Sequence, residues 1–522
     1  MRVTNSMIYG GAMNNIWRNA RHLNNLVVSI ETGKKIQRPS DDPLLSSRAL
    51  RYRTILSEAE QFLRNTQQGM AWMEVSEAAF NSILTGSPTT PSLMNRIYTR
   101  LVEAAQTGTN ELPDQRAILT ELRQYFDQMF GVDMNQTYLG RYVFSGFHTN
   151  QPPVLKTDWP AERSFVITQN FSASTIERAI AFHRQSPTHM PEDFYINVIK
   201  LPFTNVDFHL NVPNADVPQP GITSADGAIN FHVITLDSTD MRPDPLLPPP
   251  SPQHTAYNPD DEYNGLPVIH FLRDTGELVM SDATRDLINN HGGINVVYEK
   301  NNLRAGELNP IVYFQSVELI GGTLTTAGGV TTINGATTQH FDTAGQNIQM
   351  EVSPMAYITI NAHARDVLTA NLFSDLRRLF DFADSLVTSD PRVIEEYFRG
   401  PAHQLTGDEL IEAVSEFLSD EKAMFSAALH DRINNMLETI MQHASQAQRE
   451  HSNLGSRMAR LEMISIRLEE DEVAFTELLS QNEDTDLAAA IMRKSGAEAA
   501  FNHALMAIAR TTQLSLADYI NR

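Results

Sequence analysis

The chain has 522 residues, a length that favours more than one domain. It carries 63 acidic residues against 40 basic ones, a formal net charge of −23, which argues against a nucleic-acid-binding protein because phosphate backbones need clustered Lys and Arg. Cysteine is absent, which excludes thiol catalysis, disulfides and thiolate metal sites. We interpret the acidic excess as a solvated surface.

The first residues contain no basic stretch followed by an apolar run of signal-peptide length. No apolar segment reaches 18 residues, so we expect no membrane span. If the protein is extracellular, it is expected to leave the cell by a route that does not read a classical signal peptide. The lack of cysteine suits passage in an unfolded state, because no thiol is available for misoxidation.

Apolar residues near the N-terminus recur at alternating steps of three and four, which predicts a helix with an a/d seam. The predicted helix ends at Gly33, in the left-handed cap position, with Lys34 and Lys35 beside the negative end of the helix dipole. The seam consists of Met13, Ile16, Ala20, Leu23, Val27 and Ile30.

A second helix is predicted to begin at Pro43 with Asp42 as its cap, since the first helical position does not need the N–H that proline lacks. Its seam keeps the same spacing as far as Ile83, which makes the helix roughly 60 Å long. A helix of that length needs partner helices of similar length to cover its apolar stripe. A third helix is predicted from about Glu111, with a seam at Ile118, Leu122, Tyr125, Met129, Val132 and Leu139.

The middle of the chain, residues 151–353, is rich in Pro, Asn, Thr and Gly and predicts a β-rich insert. A turn is predicted at residues 274–276, and the three prolines at 248–250 predict an extended, exposed linker. The clearest strands are predicted at residues 231–234, 294–298 and 357–360.

The C-terminal part is helical in pattern again, up to about Leu479 and then from Leu487 onwards. An additional helical stretch at residues 389–419 has a role that the sequence leaves open. The last helix is predicted to carry a seam at Leu487, Ile491, Phe501, Leu505, Ile508 and Leu516.

Together these elements predict a mainly α protein with a β-rich insert. We expect a long antiparallel helical coiled-coil rod, built from both chain termini, that carries a central outer β domain. The terminal coiled coil is assigned to residues 1–42 and 484–522. The helical rod domain is assigned to residues 43–150 and 355–483, and the outer insert to residues 151–354.

The sequence contains no pattern that indicates catalysis or cofactor binding. His443 and His451 are two helical turns apart, so one metal ion cannot bridge both. The motifs His-Glu-x-x-His and Gly-x-Ser-x-Gly and a phosphate-binding glycine loop are absent. We therefore expect no catalytic residue, cofactor or metal site, and we interpret His451 as a seam residue. An enzyme within the insert is the alternative of a different class.

Five short segments resemble the flagellin superfamily, and one of them, residues 1–7, is more similar to its hook–filament junction family than to flagellin. Residues 32–36 and 38–43 together are similar to its N-terminal signature, and residues 482–486 and 513–520 are similar to its C-terminal region. The form Pro39-Ser40-Asp41-Asp42-Pro43 resembles the hook–filament junction family within this superfamily, whereas flagellin usually has Ala-Lys-Asp-Asp-Ala there. Residues 140–147 also resemble that family, with matching positions at Gly140, Arg141, Tyr142, Phe144 and Gly146.

The resemblance covers about residues 1–150 and 355–522. It implies a non-enzymatic structural subunit of the bacterial flagellum, which joins hook to filament outside the cell after export by the flagellar type III apparatus. Its implied partners are further copies of itself in a ring layer, the neighbouring hook-associated protein, flagellin and an export chaperone. Flagellin, the bulk filament subunit, is the alternative.

The terminal helices fit such an assembly. A helix of about 25 residues with a single apolar seam is marginal alone in water, so we expect residues 1–40 and 485–522 to be largely disordered in a monomer and to pack as an inner tube. The acidic residues 483–486 are expected either to pair with basic residues of another subunit or to be solvated. The basic candidates are Arg18, Arg21, Lys34 and Lys35.

Overall fold

The computed structural model of the protein divides the chain into two compact units. The first unit comprises Met1–Gln68, Met350–Ile358 and Arg460–Arg522, and the second comprises Gly69–Gln349 and Thr359–Ala459. The proline linker predicted at 248–250 lies outside the described residues. The structure describes residues 5–86, 89–106, 112–160, 162–183, 188, 190–211, 213–214, 216–238, 262–321, 323–327, 330–401 and 403–520.

Helices dominate both ends of the described chain. Two π-helical turns, Asn81–Thr85 and Gln128–Asp133, follow directly on the second and fourth helices. The α-helices are α1 (Asn5–Thr32), α2 (Pro43–Phe80), α3 (Leu93–Ala104), α4 (Leu112–Asp127), α5 (Asp282–Asn290), α6 (Pro310–Tyr313), α7 (Ala364–Val367), α8 (Ala370–Ser385), α9 (Pro391–Arg399), α10 (Asp408–Glu483) and α11 (Leu487–Ile520).

The first two helices have the boundaries that local sequence signals predict. α1 ends at Thr32, and Gly33 follows with φ +70°, the left-handed cap conformation. α2 begins at Pro43, and Asp42 caps it, because the Asp42 Oδ1 accepts hydrogen bonds from the N–H of Leu44 at 3.0 Å and of Leu45 at 3.1 Å. Both predicted boundaries are confirmed.

The prediction for the third helix is partly wrong. α4 and its π-helical turn end at Asp133, whereas Leu139 lies in a hairpin turn with φ +50° and is exposed, as is Val132. The apolar spacing reaches Leu139, although Leu139 and Gly140 adopt the left-handed conformations of a tight turn. The sequence prediction also lacks α3, which buries Ile97 and Leu101.

The middle of the chain is β-rich, as predicted. The strands are β1 (Thr137–Tyr138), β2 (Arg141–Tyr142), β3 (Arg163–Ser172), β4 (Glu177–His183), β5 (Glu192–Lys200), β6 (Leu210–Asn211), β7 (Gly221–Ser224), β8 (Asn230–Leu236), β9 (Glu262–Tyr263), β10 (Leu266–Leu272), β11 (Glu277–Met280), β12 (Gly293–Asn301), β13 (Gln315–Ile320), β14 (Thr323–Ala327), β15 (Val330–Asn334), β16 (Thr337–Phe341), β17 (Gln349–Ser353) and β18 (Ala356–Thr359).

Most of these strands belong to one sheet, in the order β16-β13-β3-β12-β7-β8-β10-β11-β5-β4, with β9 paired to β10. The β8–β10 pair is parallel, and the other described pairs of this sheet are antiparallel. β8 and β12 contain the first two predicted strands, β18 contains residues 357–359 of the third, and the predicted turn at residues 274–276 joins β10 to β11. Smaller sheets are β1-β2, β14-β15-β6 and β17-β18.

The core of the second unit combines the sheet with the helices α4 and α8. In the sheet, Val198, Val268 and Val279 belong to one buried cluster, in which they are fully enclosed. In the helices, Phe126 lies 4.9 Å from Phe130 and 5.2 Å from Phe373, measured between ring centres. The fold is thus mainly helical with a large β region, in agreement with the prediction. The predicted three-region division stays a prediction.

Candidate assembly interface

The two terminal helices, α1 and α11, pack against each other in the first unit. On α1, the predicted seam residues from Ile16 to Ile30 are half-buried, whereas Met13 is exposed. On α11, Phe501 and Ile508 are half-buried, and the side chain of Leu516 lies outside the description. Three predicted seam residues of α11 are exposed: Leu487, Ile491 and Leu505.

The shielded face of α11 consists largely of small residues rather than of the large ones that the spacing selects. Ala490 is 4% exposed, and Ala497 and Ala504 are half-buried in the same face as Phe501 and Ile508. Alanine permits a close approach of two helix backbones, which a leucine or isoleucine at the same place prevents. The sequence prediction missed these alanines because it selected large apolar residues. The alanines recur every seven residues, which is a helical spacing that the sequence shows.

Large apolar side chains remain exposed on both terminal helices. Trp17 on α1 is 59% exposed, and Met492 on α11 is 70% exposed. Met13, Ile491 and Met506 are exposed as well. An exposed set of this size on paired helices is typical of a surface that a partner covers.

The loop after α1 is tied to the acidic turn between α10 and α11. Lys34 Nζ lies 2.6 Å from Asp484 Oδ1 and 3.4 Å from Glu483 Oε2, and the latter oxygen also lies 2.7 Å from Arg53 Nη2. The hydrogen bond to Asp484 raises the pKa of Lys34, and the same bond holds the pKa of Asp484 below its ordinary value. Sequence reasoning missed Arg53, because a lone arginine on a long helix gives no signal of its partner.

The backbone strengthens this connection. Lys35 N donates to Glu483 O at 2.6 Å, and Thr485 N donates to Gly33 O at 2.8 Å. Lys35 Nζ also donates to Gln481 O at 2.8 Å. Lys34 and Lys35 thus both bind the acidic turn of their own chain, and the pairing with another subunit stays a prediction.

The Pro39–Pro43 motif folds as a turn and a helix cap. Asp41 Oδ2 accepts hydrogen bonds from the backbone N–H of Arg38 at 2.9 Å and of Gln37 at 3.3 Å. Asp42 caps α2, Pro43 is its first residue, and Pro39 and Ser40 are exposed. The two carboxylates thus have separate local roles: Asp41 stabilises the turn, and Asp42 caps the helix.

The Gly140–Gly146 motif lies in the second unit and forms a hairpin that leads into its core. Gly140, with φ +78°, completes the turn between β1 and β2, and Arg141 and Tyr142 form β2. Phe144 is fully buried, and its ring lies 6.0 Å from that of Phe80. Gly146 has φ +58°, and a Cβ there would collide with the side chain of Gln346.

The two helical histidines have packing and hydrogen-bonding contacts. His451 stacks on Phe80 with 5.2 Å between ring centres, which agrees with its interpretation as a seam residue. His443 Nε2 lies 3.3 Å from Asp375 Oδ2. Within the described residues no group of three or more His, Asp or Glu side chains is arranged to hold a metal ion. In the same part of the chain no helix is long and apolar enough to cross a membrane.

The chain is similar in sequence to known proteins of the bacterial flagellum. Residues 3–149 match the bacterial flagellin N-terminal helical region. Flagellar hook-associated protein 3 of Salmonella typhimurium is 26% identical over 159 residues, which are 29% of this chain and 46% of that protein. The protein of the same name from Escherichia coli is 26% identical over 153 residues, with the same coverage. The match thus spans about half the length of these curated relatives.

Solved structures of similar proteins share little sequence with this chain. A putative flagellar hook-associated protein from Vibrio parahaemolyticus has a TM-score of 0.36 and 9% identity, covering 85% of this chain and 100% of its own. Flagellar hook-associated protein 3 from Legionella pneumophila has a TM-score of 0.28 and 12% identity, covering 82% of this chain and 97% of its own. The N-terminal match and the curated relatives confirm that this chain resembles flagellar hook-associated protein 3.

Proposed function

We propose that the protein is a structural, non-enzymatic subunit of the bacterial flagellum that joins the hook to the filament outside the cell. Its relatives named flagellar hook-associated protein 3 support this function, as does the flagellin-type N-terminal region. The observation that carries the proposal is the pairing of α1 with α11, which leaves Trp17 and Met492 exposed on helices from opposite ends of the chain.

Assembly proceeds, in this proposal, by covering those exposed side chains. Copies of the chain form a ring layer in which the terminal helices line an inner tube. Each subunit is a helical rod with an outer insert, and this β-rich insert lies on the outside of the layer. Burial of one large apolar side chain contributes about 1.5–3 kcal/mol, so several per subunit suffice to drive association. The layer contacts the adjacent hook-associated protein on one side and flagellin on the other.

Export precedes assembly and uses the flagellar type III apparatus, with a chaperone that keeps the chain soluble. The terminal helices are then largely disordered until neighbouring subunits cover them. Amide hydrogen exchange on a dilute monomer tests this: residues 5–32 and 487–520 should exchange quickly. Full protection of both helices in the monomer would contradict the proposed order of events.

Deletion of the gene tests the location of the protein. Cells should then make hooks without attached filaments and release flagellin into the medium. Normal filaments on the deletion strain would overturn the proposal.

Point variants test the interface itself. Trp17→Glu and Met492→Glu place a charge on the proposed contact and should leave filaments unattached. Val387→Glu is the matched control, because Val387 is 67% exposed in the second unit, and it should restore attachment like the wild type. Attached filaments with both interface variants would refute a role for the terminal helices.

Flagellin itself is the second candidate, since the matching family model describes the flagellin N-terminal region. The Pro39–Pro43 motif favours the junction subunit. Labelled antibody distinguishes the two proteins: a signal confined to the hook end of the filament supports the junction subunit, and a signal along the whole filament supports flagellin.

A further inference from the structure

The second unit contains an open cleft of about 640 Å³ that is lined by α4, α8 and the loop after β12. This volume lies in the range of small-molecule sites, roughly 300–1,000 Å³. Buried rings of Phe126, Phe373 and Phe380 contribute to its wall. We name it the arginine cleft after its cationic side chains, which are Arg123, Lys300, Arg304 and Arg377.

Four carboxylates line the arginine cleft, and three of them are already paired with cations, two of which belong to the cleft itself. The remaining one, Asp127, makes no ion pair with a described residue. Counting Lys200 beside Asp381, five cations stand against four carboxylates here, an excess of one positive charge. The pairs are Arg123–Asp384 at 2.7 Å, Lys300–Glu307 at 3.7 Å and Lys200–Asp381 at 3.1 Å.

Two arginines of the cleft lack such a partner. The side chains of Arg304 and Arg377 make no hydrogen bond or ion pair with any residue in the described part of the chain, although Arg377 lies 5.8 Å above the ring of Phe373. Burial lowers the pKa of Lys300, the charge of Glu307 partly offsets this, and the charges of Arg304 and Arg377 lower the pKa. Arg304 and Arg377 thus each repel Lys300, in a chain of net charge −23.

The backbone that carries these arginines is held in place before any ligand enters. Arg304 N donates to Glu307 Oε2 at 2.8 Å, and Ala305 N donates to Asp158 Oδ1 at 2.8 Å. Gly306 N donates to Leu155 O at 2.8 Å. Arg377 projects from α8. A binding site on ordered backbone loses little conformational entropy when it is filled.

We propose that the arginine cleft binds a small oxyanion, a carboxylate or a phosphate, between Arg304 and Arg377. The planar guanidinium group matches both anions with paired, charge-assisted hydrogen bonds. A bound anion also relieves the repulsion of Lys300 by Arg304 and Arg377. The site is independent of the proposed flagellar role, because the terminal helices do not contribute to it.

Isothermal titration of the full-length protein with inorganic phosphate and, separately, with citrate tests the proposal at low ionic strength. At least one anion should bind with a Kd of about 1 mM or tighter, and the tighter one identifies the ligand class. Arg304→Gln and Arg377→Gln should each weaken binding at least tenfold. Arg392→Gln is the matched control, because it removes one exposed arginine outside the cleft and should leave Kd unchanged.

Thermal unfolding gives a second measurement, which does not depend on the heat of binding. Because the anion binds only the folded state, it should raise the Tm of the wild type and of Arg392→Gln. It should leave the Tm of the double variant Arg304→Gln/Arg377→Gln unchanged. Absence of binding by both anions at 10 mM, or equal weakening by Arg392→Gln and the cleft variants, would overturn the proposal.

Discussion

The terminal helices of the first unit and the core of the second unit are stabilised in different ways. From Gly10 onward, the described side chains of α1 are exposed or half-buried, and none is fully buried. In the second unit, by contrast, Phe80, Phe130, Phe144 and Phe373 are almost completely enclosed. A helix pair with so little buried surface depends on its surroundings, whereas the second unit contains its own stabilising core.

The ion pairs of the two units also differ in how far they are exposed to water. In the first unit, Lys34 and Asp484 form an ion pair that is nearly half exposed to water. In the second unit, Arg378 lies 3.2 Å from Glu277, and both side chains are over 90% buried. An exposed pair is screened by water and salt, whereas a buried charge that loses its partner is strongly destabilising.

The largest effect is expected from the core of the second unit. Phe144→Ala should lower the free energy of unfolding by about 3–5 kcal/mol, because it leaves a cavity beside Phe80. Phe147→Ala, three residues away and exposed, is the control and should change it by less than about 0.5 kcal/mol. Denaturant unfolding followed by near-UV circular dichroism measures both variants. Equal losses would contradict the assignment of Phe144 to the core.

A comparable loss is expected from the buried ion pair. Arg378→Met removes the main partner of Glu277 and should destabilise the second unit by about 3–5 kcal/mol. Although burial raises the pKa of Glu277, Arg378, Lys200 and Arg432 together hold it below the ordinary value. Arg399→Met is the control, since Arg399 pairs with Glu395 on an exposed helix face, and it should cost less than about 1 kcal/mol. A loss below 1 kcal/mol for Arg378→Met would mean that water reaches the pair.

A third variant should stabilise the second unit. Burial raises the pKa of Glu299 from 4.5 to about 7, so the folded state binds this proton more tightly than the unfolded state does. Stability should therefore fall as the pH rises from 4.5 to 7, by about 3 kcal/mol, and stay low above pH 7. Glu299→Gln should remove this fall and make the protein more stable than the wild type at pH 8.

Unfolding free energies at pH 4.5, 6 and 8 measure the effect of Glu299→Gln. Burial also raises the pKa of Asp133 to about 6, so part of the pH dependence should persist in the variant. Glu416→Gln, at an exposed position of α10, should keep the full wild-type dependence. The same pH dependence in Glu299→Gln and wild type would exclude Glu299 as a source of it.

The smallest effect is expected in the first unit. Lys34→Gln removes an exposed pair and should cost less than about 1 kcal/mol at low salt and almost nothing at 1 M salt. The pKa of Asp484 is depressed by Lys34, so the contribution of the pair is present at neutral pH and is lost as the pH falls through that lowered pKa. Amide exchange near residues 33–35 and 483–485 measures it. A loss as large as that of Arg378→Met would end the contrast between the two units.

Local signals made much of the fold predictable. Asp42 and Pro43 specify the start of α2, and Gly33 specifies the end of α1, because capping depends on a few adjacent residues. The prediction failed at Leu139, where the apolar spacing extends into a tight turn. It also selected Leu487 and Ile491 on α11, although the packed face contains Ala490.

The sequence by itself determined the helical ends, the β-rich middle and the flagellin-like motifs, since periodicity, caps and turns are properties of neighbouring residues. Only the tertiary structure decided which charges meet. Lys34 and Asp484 are separated by 450 positions, and Arg378 and Glu277 by 101. The pairing of distant charges and the convergence of Arg304 with Arg377 in one cleft depend on chain topology, which no local pattern encodes.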